Sequence, residues 1–150
     1  MCGTVLRCHT VPTQHISFRI DADTLSRLDA LGSMTGQSRA DLLNTLVDEG
    51  LRMESHPGIV FRPGPAGRRP GLIAGPDVWE VARLLKDVEG TGDAAVAQTA
   101  ELIDLRIDQV EAALSYYLEH RAEVDAWIAR LDDYAAREEA AFERRRQALA

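Results

Sequence analysis

At 150 residues the chain has room for one ordinary domain, or for two small ones that share part of a core between copies. Apolar residues make up 45% of it but aromatics only 5%, so its core must be built of Leu, Val, Ile and Ala on helices. The formal net charge of −7 excludes a protein coated in nucleic acid along its length. No apolar run approaches the ~20 residues that span a bilayer, and Cys2 and Cys8 alone give no disulfide framework.

Residues 1–13, MCGTVLRCHTVPT, read as a disordered arm. They lack the long apolar stretch of a secretion signal, so the expected location is cytoplasmic. Residues 15–20 alternate strictly: Ile16, Phe18 and Ile20 are apolar, while His15, Ser17 and Arg19 between them are polar. Period two predicts a strand with one apolar face and one polar face. A lone short strand is not stable, and the following residues supply only helices. Pairing with the same strand of a second chain is the economical solution.

A first helix is expected directly after it, capped by Asp21 or Asp23, with Leu25, Leu28, Leu31 and Met34 at helical spacing. Gly32 and Gly36 mark its end and the turn. Ser38 is placed to cap a second helix, with Asp41 where a capping box has Glu. That helix carries Leu42, Leu43, Leu46, Val47 and Leu51, a stripe wide enough for a dimer core.

Together the stretch HISFRIDADTLSRLDALGSMTGQSRADLLNTLVDEGLRM resembles the ribbon-helix-helix superfamily of bacterial repressors and antitoxins in element order, lengths and turn. The resemblance implies a mainly α fold: a ribbon-helix-helix dimer over residues 14–53, with one short strand per chain, followed by a helical C-terminal domain. It implies that an antiparallel two-stranded ribbon enters the major groove of double-stranded operator DNA. By position, His15, Ser17 and Arg19 would read base edges, and a bidentate Arg19–guanine pair would discriminate by roughly 1–3 kcal/mol. Gln37, Ser38 and Arg39, at the start of the second helix, would hold a phosphate through free N–H groups and the helix dipole.

Residues 54–76 hold most of the prolines and several glycines, and are expected as a Gly/Pro-rich linker and loop. Arg68 and Arg69 there are candidates for a secondary DNA or partner contact. From residue 77 to 150 the chain is expected to be helical almost throughout. The expected helices carry Val78, Val81, Ala82, Leu84 and Leu85 with Trp79 as an anchor; Val96, Ala100 and Ile103 over 93–103; and Ile107, Val110, Leu114 and Leu118 over 107–119. A long final helix begins near Arg121, its stripe running through Val124, Trp127, Ile128, Leu131, Tyr134, Ala135 and Phe142. Tyr116 and Tyr117 are adjacent, so one is expected inside and the other toward the surface.

Residues 65–126 also resemble, more loosely, a small helix-turn-helix-like bacterial domain of unassigned function found in antitoxin-like proteins. The correspondence runs through Arg68, Arg69, Pro70, Val78, Trp79 and the Gln109–Leu118 run. Arg106 stands where that pattern has a capping Ser or Thr. The acid of the chain is concentrated after residue 90, a composition suited to a basic protein partner.

Catalysis is not expected. GPAGRRPG lacks the strand-turn-helix setting and the Lys-Ser/Thr ending of a phosphate loop. Cys2, Cys8 and His9 lack a fourth ligand, and His56 and His120 stand alone in the sequence, so neither metal nor cofactor is expected. The functional expectation is a sequence-specific repressor, most concretely an antitoxin that autoregulates its operon and binds a toxin through its C-terminal half. It would act as a homodimer or higher oligomer. A stand-alone ribbon-helix-helix transcription factor, and a dimeric interaction protein without DNA binding, are the alternatives.

Overall fold

The computed structural model describes residues 14–64 and 67–149. The arm expected over residues 1–13, with Cys2, Cys8 and His9, lies outside them. The chain is mainly helical, and among the described residues no helix is long and apolar enough to cross a membrane. It divides into two compact units, the first ending at Asn44 and the second beginning at Thr45.

The first unit contains α1 (Ala22–Thr35) and the start of α2 (Arg39–Ser55). The Asp21 carboxylate accepts the Thr24 N–H at 2.8 Å and caps α1. Gly36 closes the helix at φ 70°, a left-handed conformation that glycine adopts without steric cost. Ser38 caps α2 as its position suggested: Oγ accepts the Asp41 N–H at 3.1 Å and donates to the Asp41 carboxylate at 2.6 Å. Leu28 and Leu42 are buried, Leu25 and Leu31 half-buried, and Met34 exposed.

The structure differs from expectation at residues 15–20. In the single chain they form no strand, because one copy offers that segment no edge to pair with. The strands are instead β1 (Ile59–Arg62) and β2 (Arg69–Leu72), an antiparallel hairpin with Ile59 opposite Leu72 and Arg62 opposite Arg69. They lie inside the segment expected as a linker. The hairpin escapes pattern reading because each strand is four residues long and Pro70 interrupts the second. Ile59 and Leu72 nonetheless sit in the core.

The second unit continues with α3 (Val78–Asp87), α4 (Asp93–Leu102), α5 (Ile107–Glu119) and α6 (Arg121–Leu149). The expected bounds of the last three agree closely. Glu80 accepts the Asp77 N–H at 3.0 Å at the head of α3, and Gln109 accepts the Arg106 N–H at 3.0 Å at the head of α5. The second bond explains how α5 starts without a Ser or Thr cap.

Helix α5 is central, packing on α3, α4, α6 and both strands. That placement corrects two expectations. Ile107 and Leu118 are exposed, whereas Val110, Ala113, Tyr116 and Tyr117 are buried. Both adjacent tyrosines are inside because α5 has neighbours around most of its girth, and each hydroxyl finds a polar partner at the margin of the core. Tyr116 accepts from Arg52 at 3.0 Å and Tyr117 donates to Asp125 at 3.0 Å. On α6, Val124 and Ile128 are buried, and Trp127 and Leu131 are half-buried. Beyond them Tyr134 and Phe142 are exposed, so the expected stripe is covered only along the first three turns.

Candidate functional site

His15, Ser17 and Arg19 are exposed, and so are the apolar residues that alternate with them: Ile16 retains 79% of its surface and Phe18 61%. Only Ile20 is partly covered. In a monomeric fold, two large apolar side chains this open gain nothing from the hydrophobic effect.

The head of α2 presents Gln37, Ser38 and Arg39 to solvent. The Arg39 guanidinium is already engaged, its Nε and Nη2 each 2.8 Å from the Asp29 carboxylate. The Ser38 hydroxyl is engaged with Asp41. An incoming phosphate would have to compete for both.

Farther along, α2 has two distinct faces. Glu49 and His56 are buried and Arg52 is half-buried on one side, whereas Leu46, Val47 and Leu51 are exposed on the other. The spacing of the latter three puts them on one stripe of the helix.

In the second unit Arg68 and Arg69 are also held internally. Arg68 Nε lies 2.6 and 2.9 Å from the two oxygens of buried Glu49, and this bond raises the guanidinium pKa. Arg69 Nε lies 2.5 Å from Asp77 Oδ2. Asp77 has a 10% exposed side chain, with Trp79 Nε1 at 3.3 Å and Arg62 at 3.7 Å as further partners. These arginines line a cleft of about 160 Å³ with Trp79, Trp127 and Arg130. Arg130 stacks 4.9 Å over the Trp127 ring. Trp127 Nε1 is buried without a hydrogen-bond partner among the described residues.

Around the C-terminal end of α2 the structure gathers residues that are far apart in sequence. Arg52 Nη1 reaches the Tyr116 hydroxyl at 3.0 Å and Glu123 Oε2 at 2.7 Å, and Nε reaches Asp48 at 2.9 Å. Burial would lower the Arg52 pKa, but the bonds to Tyr116 and Glu123 outweigh it and raise the value. His56, one turn on, stands edge-on to the rings of Tyr116 and His120, with centroids 5.1 and 5.6 Å away.

No protein-family model, curated protein or solved structure matches the chain. The residues themselves therefore carry the functional argument.

Of the arginines assigned to DNA, Arg39, Arg68 and Arg69 are neutralised by carboxylates. Arg19 makes no ion pair among the described residues. His15, Ser17 and Arg19, expected to read bases, are thus exposed, whereas Ser38 and Arg39 of the set expected to hold a phosphate are engaged within the chain. Sequence reasoning missed the cluster of His56, Glu119 and His120 entirely. No local spacing signals it, because α2 and the α5–α6 corner meet only in the fold.

Proposed function

We propose that the chain is a homodimeric DNA-binding regulator of ribbon-helix-helix type, most concretely an antitoxin that represses its own operon. The observation that carries the reading is exposure of apolar surface where a second copy is needed. Ile16 and Phe18 alternate with polar His15, Ser17 and Arg19, and α2 leaves Leu46, Val47 and Leu51 uncovered. Two copies pairing residues 15–20 antiparallel would turn Ile16 and Phe18 inward. The same pairing would project His15, Ser17 and Arg19 from the opposite face, the geometry that a major groove admits. The guanidinium of Arg19, exposed and without an ion pair among the described residues, supports the reading chemically.

The distal part of α6 supports the antitoxin assignment. It is solvent-exposed, bears Tyr134 and Phe142 among charges of both signs, Glu138, Glu139 and Glu143 against Arg137, Arg144, Arg145 and Arg146, and suits a partner that takes an amphipathic helix into a groove.

The test is retardation of the DNA upstream of the gene at moderate salt, by the full chain and by Arg19→Ala. Specific retardation that Arg19→Ala weakens by roughly 1–3 kcal/mol supports the reading. Absence of retardation by the wild type, or an unchanged affinity in the variant, refutes it. For the toxin, co-expression with the product of the adjacent reading frame gives a stable complex that truncation after Asp132 abolishes.

A second reading is favoured by the ion pairs of Arg39, Arg68 and Arg69. A dimer with its cations so neutralised, and a net charge of −7, would serve as an interaction protein without DNA binding. Salt dependence separates the two, since phosphate contacts release counterions and make affinity fall steeply with salt.

A further inference from the structure

We infer that His56, Glu119 and His120 form a binding site for one divalent cation of the zinc class. The site is independent of the DNA reading.

One ligand atom from each of the three residues lies within 4.8 Å of the others. The His56 side chain is only 4% exposed, yet its Nε2 has no hydrogen-bond partner among the described residues. His120 Nε2 is likewise buried and unpartnered. Two buried ring nitrogens without partners, side by side, are costly unless something satisfies them. The Glu119 carboxylate stands 3.1 Å from His56 Nε2 without hydrogen-bond alignment. Two ligands of one tetrahedral zinc, each bonded at about 2.0–2.1 Å, stand roughly 3.3 Å apart.

The surroundings favour a cation. The site lies where α2 and α5 both end, and the partial negative charge of these two C-termini outnumbers the one N-terminus there, that of α6, which starts at Arg121. Two described cations stand near: Arg52, with which Asp48 and Glu123 both pair, and Arg121, which is drawn toward Asp125 at 3.8 Å. An open surface pocket of about 250 Å³, lined by Asp48, Ser55 and the three ligands among others, gives access.

Two imidazoles and one carboxylate suit zinc, cobalt, nickel or copper rather than calcium or magnesium, which prefer all-oxygen sets. Three protein ligands leave a fourth position for water. A bound ion would tie the end of α2 to the α5–α6 corner.

Zinc titration of the chelator-stripped full chain tests this, with a competing chromogenic chelator as readout. To keep the thiols and imidazole of the arm out of the readout, the chain carries Cys2→Ser, Cys8→Ser and His9→Gln. One ion per chain is expected in that background, with affinity lowered more than about tenfold by His56→Gln. Cobalt in place of zinc should give visible bands of tetrahedral type without thiolate charge transfer. Glu119→Gln, at an exposed position, keeps the test decisive if His56→Gln fails to fold, and is expected to weaken binding as well. Absence of stoichiometric binding in the arm-substituted background overturns the inference, as does unchanged affinity in Glu119→Gln.

Discussion

Arg52 donates from Nη1 to the Tyr116 hydroxyl at 3.0 Å, joining the last turn of α2 to the last turn of α5. Tyr116 is fully buried, and burial lifts its pKa, with the bond from Arg52 opposing the rise. The two partners are unequal in what their loss leaves behind. Tyr116→Phe removes a neutral hydroxyl and leaves Arg52 with Asp48 and Glu123, at a cost of about 1 kcal/mol. Arg52→Ala leaves a buried hydroxyl unpaired and removes the partner of Glu123, at about 2–3 kcal/mol. Urea unfolding of both variants checks the order. An Arg52→Ala cost no greater than that of Tyr116→Phe would mean that the hydroxyl finds another partner.

Asp77 balances Arg69 at 2.5 Å and Arg62 at 3.7 Å while accepting from Trp79, at the junction of β2 and α3. Removing a buried carboxylate strands the cations it served. Asp77→Ala is expected to destabilise by about 3–5 kcal/mol, whereas Asp87→Ala, at an exposed site on the same helix, should lie within about 0.5 kcal/mol of wild type. Thermal or urea melts give the comparison. Equal melts for the two variants would remove Asp77 from the stabilising network.

The exposed stripe of α2 gives the proposed dimer a separate handle. Val47 keeps 56% of its surface in the single chain, whereas Val81 keeps none. Val47→Glu should therefore turn a dimer into a folded monomer, and Val81→Glu should unfold the chain. Light scattering after size exclusion measures the mass, and circular dichroism the helix content. A Val47→Glu protein that remains dimeric would place the contact between copies elsewhere.

How much of the molecule is legible in its sequence follows from the range of the signals. Caps and periodicity are local, so Ser38 with Asp41, Gly36, and the bounds of α4, α5 and α6 can be read directly. The β1–β2 hairpin cannot, because four-residue strands carry too few alternations and Pro70 argues against one of them. The two buried tyrosines defeat pattern reading for a related reason: adjacency on a helix limits burial only when the helix has one covered side. The carboxylates that hold Arg39, Arg68 and Arg69 are ten, nineteen and eight residues away in the chain, with no repeating spacing to announce them. Those pairs decide how available the predicted cations are. The joining of His56 to Glu119 and His120 depends wholly on tertiary packing.

The Arg39–Asp29 pair makes the DNA reading quantitative. Arg39 is 57% and Asp29 47% exposed, so the pair is worth little to stability and can be opened without harm to the fold. Asp29→Asn should release the guanidinium toward phosphate and strengthen DNA binding. The slope of log affinity against log salt should steepen by about 0.9 for each further phosphate neutralised. Filter binding across a salt series measures it, and an unchanged slope would exclude Arg39 from phosphate binding.

Acid stability should depend on Asp125. Its carboxylate faces Lys86 of α3 at 2.5 Å, the Tyr117 hydroxyl of α5 at 3.0 Å and Arg121 of its own helix at 3.8 Å. The Lys86 hydrogen bond is the largest cause that holds its pKa below 3.8, with Tyr117 and Arg121 adding to it and desolvation opposing. A carboxylate whose folded pKa is depressed binds its proton more readily in the unfolded chain. Its contribution to stability is therefore complete above the unfolded value of 3.8 and drains away as pH falls through the lower folded value. Asp125→Asn should melt lower than wild type at neutral pH, and the gap should narrow as pH drops below about 4. Added salt should shrink the neutral-pH gap too, since Lys86 and Asp125 are both over two-fifths exposed and readily screened. Melts at pH 7 and pH 3, with and without salt, test the sign. A gap that widens toward acid would show that the folded carboxyl prefers its proton, contrary to the geometry around it.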